Sequence, residues 1–358
     1  MSVFEKITVI VPSLNPDEKL MKVIEGLEKE GFNDIIVVND GSRADRLENF
    51  PDPTVHRSCT ILTHKVNRGK GAALKTAFEY FLRNRQDRLG VVTVDGDNQH
   101  LPMDVRNCSE KMLQKGALVL GVRDFSLSHV PTRSRLGNRI TSFVFRLCCG
   151  MKISDTQTGL RAFPRDILPA MCEIEGDRFE YETNMLLGLR EYGIKLAEQS
   201  IETVYIEENQ TSHFRPVRDS IRVYSLILKF LASSVAASVI DNVGFWLALT
   251  FLSGFFGGFA RLVCFIMART VSSVTNFILN KEKVFKNSDG IEKTVIKYYA
   301  LAIPIMIISI GAVELLDRSI GNSVPIITTL IKMAVDLVLF ICSFRIQREW
   351  VFSSKKKK

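Results

Sequence analysis

The chain has 358 residues, 46% of them hydrophobic and 24% charged, with a formal net charge of +8 and a slightly positive mean hydropathy of +0.10. That length allows two or more domains, and the hydropathy argues against a purely soluble enzyme. The basic excess does not read as nucleic-acid binding, because no basic stretch interleaved with aromatic residues stands out and much of the charge borders long apolar blocks.

The opening "MSVFEKITVIVPSLNP" runs straight into a predicted strand and lacks the apolar core and small-residue cleavage site of a signal peptide. "PDEKLMKVIEGLEKEG" reads as a helix with a stop at Gly31, "DIIVVNDGS" and "CTILTHK" as strands, "GKGAALKTAFEYFLRN" as a helix and "GVVTVDGD" as a fourth strand. Such alternation implies a mostly parallel sheet with helices on both faces, whose ligands bind beyond the carboxyl ends of the strands. Two acidic clusters fall at such ends. In "NDGS", Asp40 is placed to accept hydrogen bonds from a base or ribose, Gly41 allows a tight turn and Ser42 can cap the next turn of chain. In "VVTVDGDNQH", burying an unpaired carboxylate at the end of an apolar strand would cost several kcal/mol, so something cationic should meet Asp95 and Asp97. One intervening glycine lets the pair converge on a hard divalent ion such as Mg²⁺, which takes one or two carboxylates plus substrate phosphates. The acids at fixed offsets and the distal Glu of an EF-hand loop are missing from "DGDNQHLPMDV".

Beyond about Tyr224 the composition changes to four apolar blocks, 225–253, 262–280, 298–316 and 324–344. Each is long enough to cross a hydrocarbon core of about 30 Å as a helix, so the expected organisation is a globular domain over 1–224 and a four-helix transmembrane domain over 225–358. The connection "KEKVFKNSDGIEKTVIK" carries five lysines and the tail "RIQREWVFSSKKKK" six basic residues, whereas the other two connections carry one arginine each. The positive-inside rule then puts the N-terminal domain, the middle connection and the tail in the cytoplasm. "FILNKEKVF" (277–285) recurs as "FRIQREWVF" (344–352), an offset of 67 residues, which a duplicated two-helix hairpin explains. Asp241, Arg269, Glu314 and Asp336 fall inside apolar blocks, where ionisable groups pair with one another or line a path. The segment "FRPVRDSIRVYSLILKF", with Arg215, Arg218 and Arg222, leads into the first block as a membrane-surface helix. The seven cysteines show no paired C-x-x-C spacing, and the vicinal Cys148 and Cys149 read as small apolar packing residues of a chain in a reducing compartment.

Taken together, "VIVPSLN", "NDGS", "VNRGKGAALKTAF", "DGD", "GVRDF", "RSRLGNRITSFVFR", "DTQTGLRAF" and "RFEYETNML" resemble family 2 glycosyltransferases of the GT-A fold, a Rossmann-like α/β architecture for nucleotide-diphospho-sugars. The likeness is to the subgroup that makes polyprenyl-phosphate sugars, such as dolichyl-phosphate mannose synthases. The membrane half is similar to the GtrA-like domain, which accompanies such transferases and is associated with lipid-linked sugars. One departure is that Asn15 is followed by Pro16, Asp17 and Glu18 where the family commonly has Asn-Glu. A Q-x-x-R-W motif of processive synthases is absent, since "QREW" has the wrong spacing, which argues against a polymer product.

The resemblance implies the site. Asp95, Asp97 and Gln99 would hold Mg²⁺ or Mn²⁺, and Pro12, Asn15, Asp40, Ser42, Asn67, Lys70, Asp95, Gly96, Asp97 and Arg123 the nucleotide sugar. Asp97, Arg123, Arg133 and Arg135 would carry catalysis, the arginines as phosphate clamps because guanidinium binds phosphate in a fork. Arg133, Arg135, Asn138, Asp155, Gln157 and Arg161 would contact the lipid acceptor or the sugar. An ionised lipid phosphate needs no strong general base. The expected activity is therefore metal-dependent, inverting transfer of one hexose to undecaprenyl or dolichyl phosphate at the cytoplasmic face of the cell membrane, with oligomeric state, sugar and base left open. The rivals are transfer to another membrane lipid, such as diacylglycerol, and a membrane half that moves lipid-linked sugar as a flippase or transporter.

Overall fold

The chain divides into two compact units, Met1–Val223 and Tyr224–Lys358. The computed structural model describes residues 2–127, 130, 132–149, 152–189, 191–202, 225–256, 260–285, 287, 290–319 and 325–352. Arg215, Arg218, Arg222, the tail lysines and the side chains of Arg133, Cys148, Cys149, Glu314 and Asp336 lie outside the described residues.

In the first unit the order is α1 (Val3–Lys6), β1 (Ile7–Ser13), α2 (Glu18–Glu30), β2 (Ile35–Asn39), β3 (Cys59–Thr63), α3 (Lys70–Asn84), β4 (Gly90–Thr93), α4 (Pro102–Lys115), β5 (Leu118–Arg123), α5 (Thr132–Cys149), β6 (Arg161–Pro164), α6 (Leu168–Glu173), α7 (Glu180–Gly188) and β7 (Leu196–Ile201). Helix α2 begins where the Asp17 carboxylate accepts the Lys19 N–H at 2.9 Å and stops at Gly31, whose φ of 115° suits the left-handed cap. Its apolar stripe, Leu20, Val23, Ile24 and Leu27, packs with Val105, Cys108 and Met112 of α4 against Ile7, Val9 and Val11 of β1. The alternate residues of each strand face the other way, where Phe78 of α3 meets Phe163 of β6 with ring centroids 5.3 Å apart. Burial in this core pushes the Cys108 thiol up to about 12, in keeping with a packing role for that cysteine.

The seven strands form one sheet in the order β3-β2-β1-β4-β6-β5-β7. All neighbours are parallel except β6, which runs antiparallel to both β4 and β5. The registers Ser13↔Asn39, Asn39↔Thr63 and Ile10↔Thr93 bring the carboxyl ends of β1, β2, β3 and β4 to one edge. Because β6 is reversed, its first residue, Arg161, lies opposite Thr93. The segment preceding it, "DTQTGL", therefore arrives at that same edge.

The second unit contains α8 (Ser225–Phe256), α9 (Ala260–Leu279), α10 (Ile291–Ser319) and α11 (Pro325–Ile346), with π-helical turns at Asn280–Val284 and Gln347–Val351. These helices overlap the four apolar blocks, the third helix starting at Ile291, ahead of its block. Among the described residues Leu228–Ala248 is long and apolar enough, by length and composition, to cross a membrane. The 67-residue repeat is visible as a local two-fold relation, in which equivalent residues meet each other. Asn280 Nδ2 donates to Gln347 Oε1 at 3.0 Å across 67 positions, and the rings of Phe285 and Phe352 stack at 5.1 Å. Each amide also bonds four residues back, Asn280 to Asn276 at 2.6 Å and Gln347 to Ser343 at 2.8 Å. Phe277 meets the Tyr298 ring at 5.3 Å, and its equivalent Phe344 meets the Phe230 ring at 5.0 Å. Replacing Asn280 by Leu takes the donor from Gln347 Oε1, and about 1 kcal/mol of stability in detergent should be lost. The double change Asn280→Leu with Gln347→Leu should cost less than the sum of the two single changes, read by a double-mutant cycle.

Candidate active site

The edge formed by the ends of β1, β2 and β4 is organised by short hydrogen bonds. Asn15, at φ 50°, gives its N–H to Ser42 Oγ at 2.8 Å and accepts the Arg43 N–H at 2.9 Å, while the Ser42 N–H binds Asn39 Oδ1 at 2.9 Å. The Ser42 hydroxyl thus ties the first loop to the second. The following 3-10 turn has Arg43 and not Ser42 at its cap position.

Asp40 is 3% exposed. Its carboxylate accepts from the Arg68 and Gly69 N–H groups at 2.9 and 2.7 Å and from His64 Nδ1 at 2.7 Å. His64 Nδ1 is the donor to this carboxylate, and Nε2 pairs with the Thr76 hydroxyl at 3.0 Å. Here Asp40 shapes the loop that starts α3, with both oxygens in hydrogen bonds to protein. Asn67, in that loop, accepts from Arg178 at 3.3 Å.

Lys70, the first residue of α3, stands between two carboxylates, its Nζ 2.7 Å from Asp95 Oδ1 and 3.1 Å from Glu182 Oε1 of α7. The cation expected beside the strand end is therefore supplied in part by the chain itself. Burial opposes the charge of both groups. The mutual attraction prevails, holding Lys70 above the usual lysine value and Asp95, with help from His100 and Arg123, below the usual carboxylate range. Asp97 behaves oppositely, since burial and then the charge of Asp95 push it up to about 6. The turn that follows Asp97 passes through Asn98 at φ 63°, and the Gln99 N–H donates to Asp97 Oδ1 at 3.2 Å. His100 is buried and its imidazole is pushed down to about 4, chiefly by loss of solvent.

The "DTQTGL" segment closes the back of this cluster. Thr93 Oγ1 donates to the Gly159 carbonyl at 2.8 Å, and a Cβ on Gly159 would stand 2.1 Å from Asp95 Oδ2. Asp155 is fully buried and grips Arg123 in a fork, at 2.7 Å from Nε and 3.2 Å from Nη2. The guanidinium also lies 5.1 Å over the Phe125 ring. The Arg123 plane is therefore fixed by protein before any phosphate arrives. Arg161, a candidate contact to sugar or acceptor by its motif, is instead 1% exposed and donates to the carbonyls of Thr158, Glu182 and Thr156 at 2.9, 2.8 and 3.4 Å. It fastens the segment to α7 from beneath the surface. Gln157 remains exposed. On α5, Asn138 Nδ2 donates to the Ser154 carbonyl at 2.7 Å and Arg135 Nη2 to the Leu127 carbonyl at 2.9 Å. Pro12 lies within β1 opposite Val38, and an added Cβ on Gly96 would meet nothing nearer than Leu20 at 3.4 Å.

Glu182, His100, Thr93 and Gly159 belong to the site although the motifs alone do not single them out. Glu182 and His100 stand inside the motif blocks "RFEYETNML" and "VVTVDGDNQH", and Thr93 is the last residue of β4. No sequence signal marks the Gly159 approach, which exists only through the reversal of β6.

A family model described as Glycosyl transferase family 2 matches residues 8–171, and one described as GtrA/DPMS, transmembrane domain, matches residues 229–357. An uncharacterised protein of Methanocaldococcus jannaschii is 28% identical over 230 residues, 63% of this chain and 92% of that protein. The UDP-N-acetylglucosamine–dolichyl-phosphate N-acetylglucosaminyltransferase of Methanococcus voltae is 25% identical over 228 residues, 56% of this chain and 86% of that enzyme. The undecaprenyl-phosphate mannosyltransferase of Micrococcus luteus is 26% identical over 211 residues, 56% of this chain and 84% of that enzyme. With its mixed seven-stranded sheet and the acidic pair at the carboxyl edge, the N-terminal domain belongs to glycosyl transferase family 2 and the helical domain to the GtrA/DPMS transmembrane family, so the protein is a membrane-associated glycosyltransferase.

Proposed function

We propose that the protein transfers a single hexose from a nucleoside-diphosphate sugar to a polyprenyl phosphate, with inversion, from the cytoplasmic side of a membrane that its four helices cross. The observation that carries the donor side is the acidic pair at the end of β4. Asp97, pushed up to about 6 by burial and by Asp95, is a crowded negative charge that a hard divalent cation would relieve. The oxygen donors of Asp95, Asp97 and Gln99 suit such an ion, with coordination completed by a diphosphate. Among the described residues there is no cluster of three or more His, Cys, Asp or Glu side chains that would hold a metal without substrate. When bound, the ion supplies Lewis-acid stabilisation of the departing diphosphate.

The chain's own residues do the positioning. Lys70 places a second positive charge beside the acidic pair, and Asp155 holds Arg123 with its guanidinium plane fixed. Arg133 and Arg135, on the first turn of α5, are the clamps for the acceptor phosphate. That phosphate is already ionised near neutral pH, so positioning and electrostatics carry the rate. The acceptor class rests on the transmembrane domain and on the Methanococcus voltae and Micrococcus luteus relatives. In the membrane unit Arg269 Nη2 lies 3.0 Å from Asp241 Oδ2, which neutralises two of the charges that would otherwise favour a transport path.

Sealed membrane vesicles of both orientations, given labelled UDP-N-acetylglucosamine, UDP-glucose or GDP-mannose with polyprenyl phosphate, test the proposal. A chloroform-soluble product carrying one hexose per lipid is expected, formed from external donor only in inside-out vesicles. Polyprenol should not serve, since it offers neither an anion for the arginines nor an ionised nucleophile. Efficient transfer to polyprenol, or to diacylglycerol in preference to polyprenyl phosphate, would replace the acceptor assignment.

A further inference from the structure

Among the described residues, five buried side-chain atoms lack a hydrogen-bond partner: His100 Nδ1, Arg135 Nε, Asn138 Oδ1, Thr156 Oγ1 and Glu180 Oε2. Buried polar atoms in folded proteins are nearly always paired, because an unpaired one forfeits its hydration. Two of these orphans are tied to the stretch that surrounds the Asp155–Arg123 fork. Asn138, 6% exposed, bonds the carbonyl of Ser154, the residue before Asp155. Thr156, 3% exposed, is the residue after it.

The chemistry of the free atoms limits what could meet them. The Ser154 carbonyl accepts a hydrogen bond from Asn138 at 2.7 Å, so the atom facing it must be the amide nitrogen. That settles the orientation of the amide, and the orphan is the carbonyl oxygen, an acceptor. An ionised phosphate, itself only an acceptor, cannot satisfy it. A sugar hydroxyl or an acetamido N–H can. Thr156 Oγ1 can donate or accept, so the two atoms together match a sugar ring substituent better than a phosphate oxygen. The supporting frame is rigid, since Arg161 binds the Thr156 and Thr158 carbonyls from below and Thr93 binds that of Gly159. Such a frame keeps the polar atoms in place before the ligand arrives.

We propose that Asn138 Oδ1 and Thr156 Oγ1 form the subsite that reads a hydrogen-bond-donating substituent of the transferred sugar, a hydroxyl or an acetamido N–H; this rests on the transferase reading above. Asn138 thereby belongs to the sugar and not to the lipid phosphate. Specificity follows from the same physics, because a sugar lacking the matching donor leaves a buried acceptor unpaired.

Thr156→Val tests the subsite with little risk to the fold. The hydroxyl has no protein partner to lose, and valine keeps the branched shape. The full-length protein in detergent with Mg²⁺ is titrated by calorimetry with UDP-N-acetylglucosamine, UDP-glucose and GDP-mannose, and separately with UDP and GDP. Thr156→Val should melt no lower than wild type and bind bare UDP or GDP as wild type does. Its affinity for the preferred sugar nucleotide should fall by about fivefold to a hundredfold, the cost of one buried hydrogen bond. Asn138→Ala should narrow the same ratio of sugar-nucleotide to bare-nucleotide affinity, with some loss of stability from the broken Ser154 bond. A wild-type ratio in Thr156→Val would mean that water or packing alone occupies the site, and would overturn the proposal. So would equal weakening of bare and sugar nucleotides. The ratio does not involve the lipid. Absence of lipid-linked product beside an intact Thr156→Val effect would therefore sink the acceptor assignment alone, and an unchanged ratio beside normal product would sink the subsite alone.

Discussion

Asp97→Asn is expected to abolish transfer, by about a thousandfold or more, while leaving the metal-free protein as stable as wild type or slightly more so. The two halves of that expectation have one cause. Asp97 carries a carboxylate that burial and the neighbouring Asp95 both disfavour, so replacing it by the neutral amide removes a repulsion from the resting fold. The same change removes one of two carboxylates that would hold the divalent ion. Lewis-acid stabilisation of a leaving diphosphate is worth several kcal/mol, and each 1.36 kcal/mol is about a factor of ten in rate. Asp95→Asn should also cripple transfer but should lower stability, because it removes the closer of the two carboxylates that pair with Lys70. Single-turnover rates in excess Mg²⁺ together with thermal unfolding in a chelator separate the two residues. Full activity of wild type in excess chelator would remove the metal altogether.

Gly159→Ala is the second large effect, and it reaches the acidic pair from behind. A methyl group there would sit 2.1 Å from Asp95 Oδ2, far inside van der Waals contact. The backbone has little room to retreat, because Thr93 Oγ1 holds the Gly159 carbonyl at 2.8 Å and β6 begins two residues later. Asp95 is the part that must yield, and with it the Lys70 bridge. A displacement of about 1 Å in such a constellation costs on the order of a hundredfold in rate, and divalent-ion affinity should fall alongside. Gly137→Ala is the matched control, since its added Cβ meets nothing within 4 Å. That variant should bind Mn²⁺, read by paramagnetic relaxation, as wild type does. Equal Mn²⁺ binding by Gly159→Ala and Gly137→Ala would show that Asp95 is not where the ion sits.

These two positions also separate what the amino-acid order determined from what the folded chain decided. The carboxylate pair, the alternation of strands and helices, the Gly31 stop and the four apolar blocks are all local patterns. Spacing along the chain displays them directly, because a strand end or a helix face depends on residues within one turn or two. The repeat linking "FILNKEKVF" to "FRIQREWVF" was likewise legible, although only folding shows that Asn280 and Gln347 bond each other across the two-fold relation. Strand β6 was not legible, because its four residues, "RAFP", start with a charge and end with a proline instead of forming the apolar run that marks β4. Yet its antiparallel insertion between β4 and β5 carries "DTQTGL" back to the edge where Asp95 lies. From that reversal follow the tight approach of Gly159, the burial of Arg161 as a fastener, the Asp155 fork on Arg123 and the unpaired atoms of Asn138 and Thr156. Motif spacing likewise made Asp40 a ligand candidate, whereas folding surrounded it with His64 and two backbone N–H groups. The sequence by itself determined which chemical groups the site has, through short-range patterning. Only the tertiary structure decided which of them are consumed in holding the others, because that choice depends on pairings between residues far apart in the chain, each made where burial leaves a polar group no water to bind.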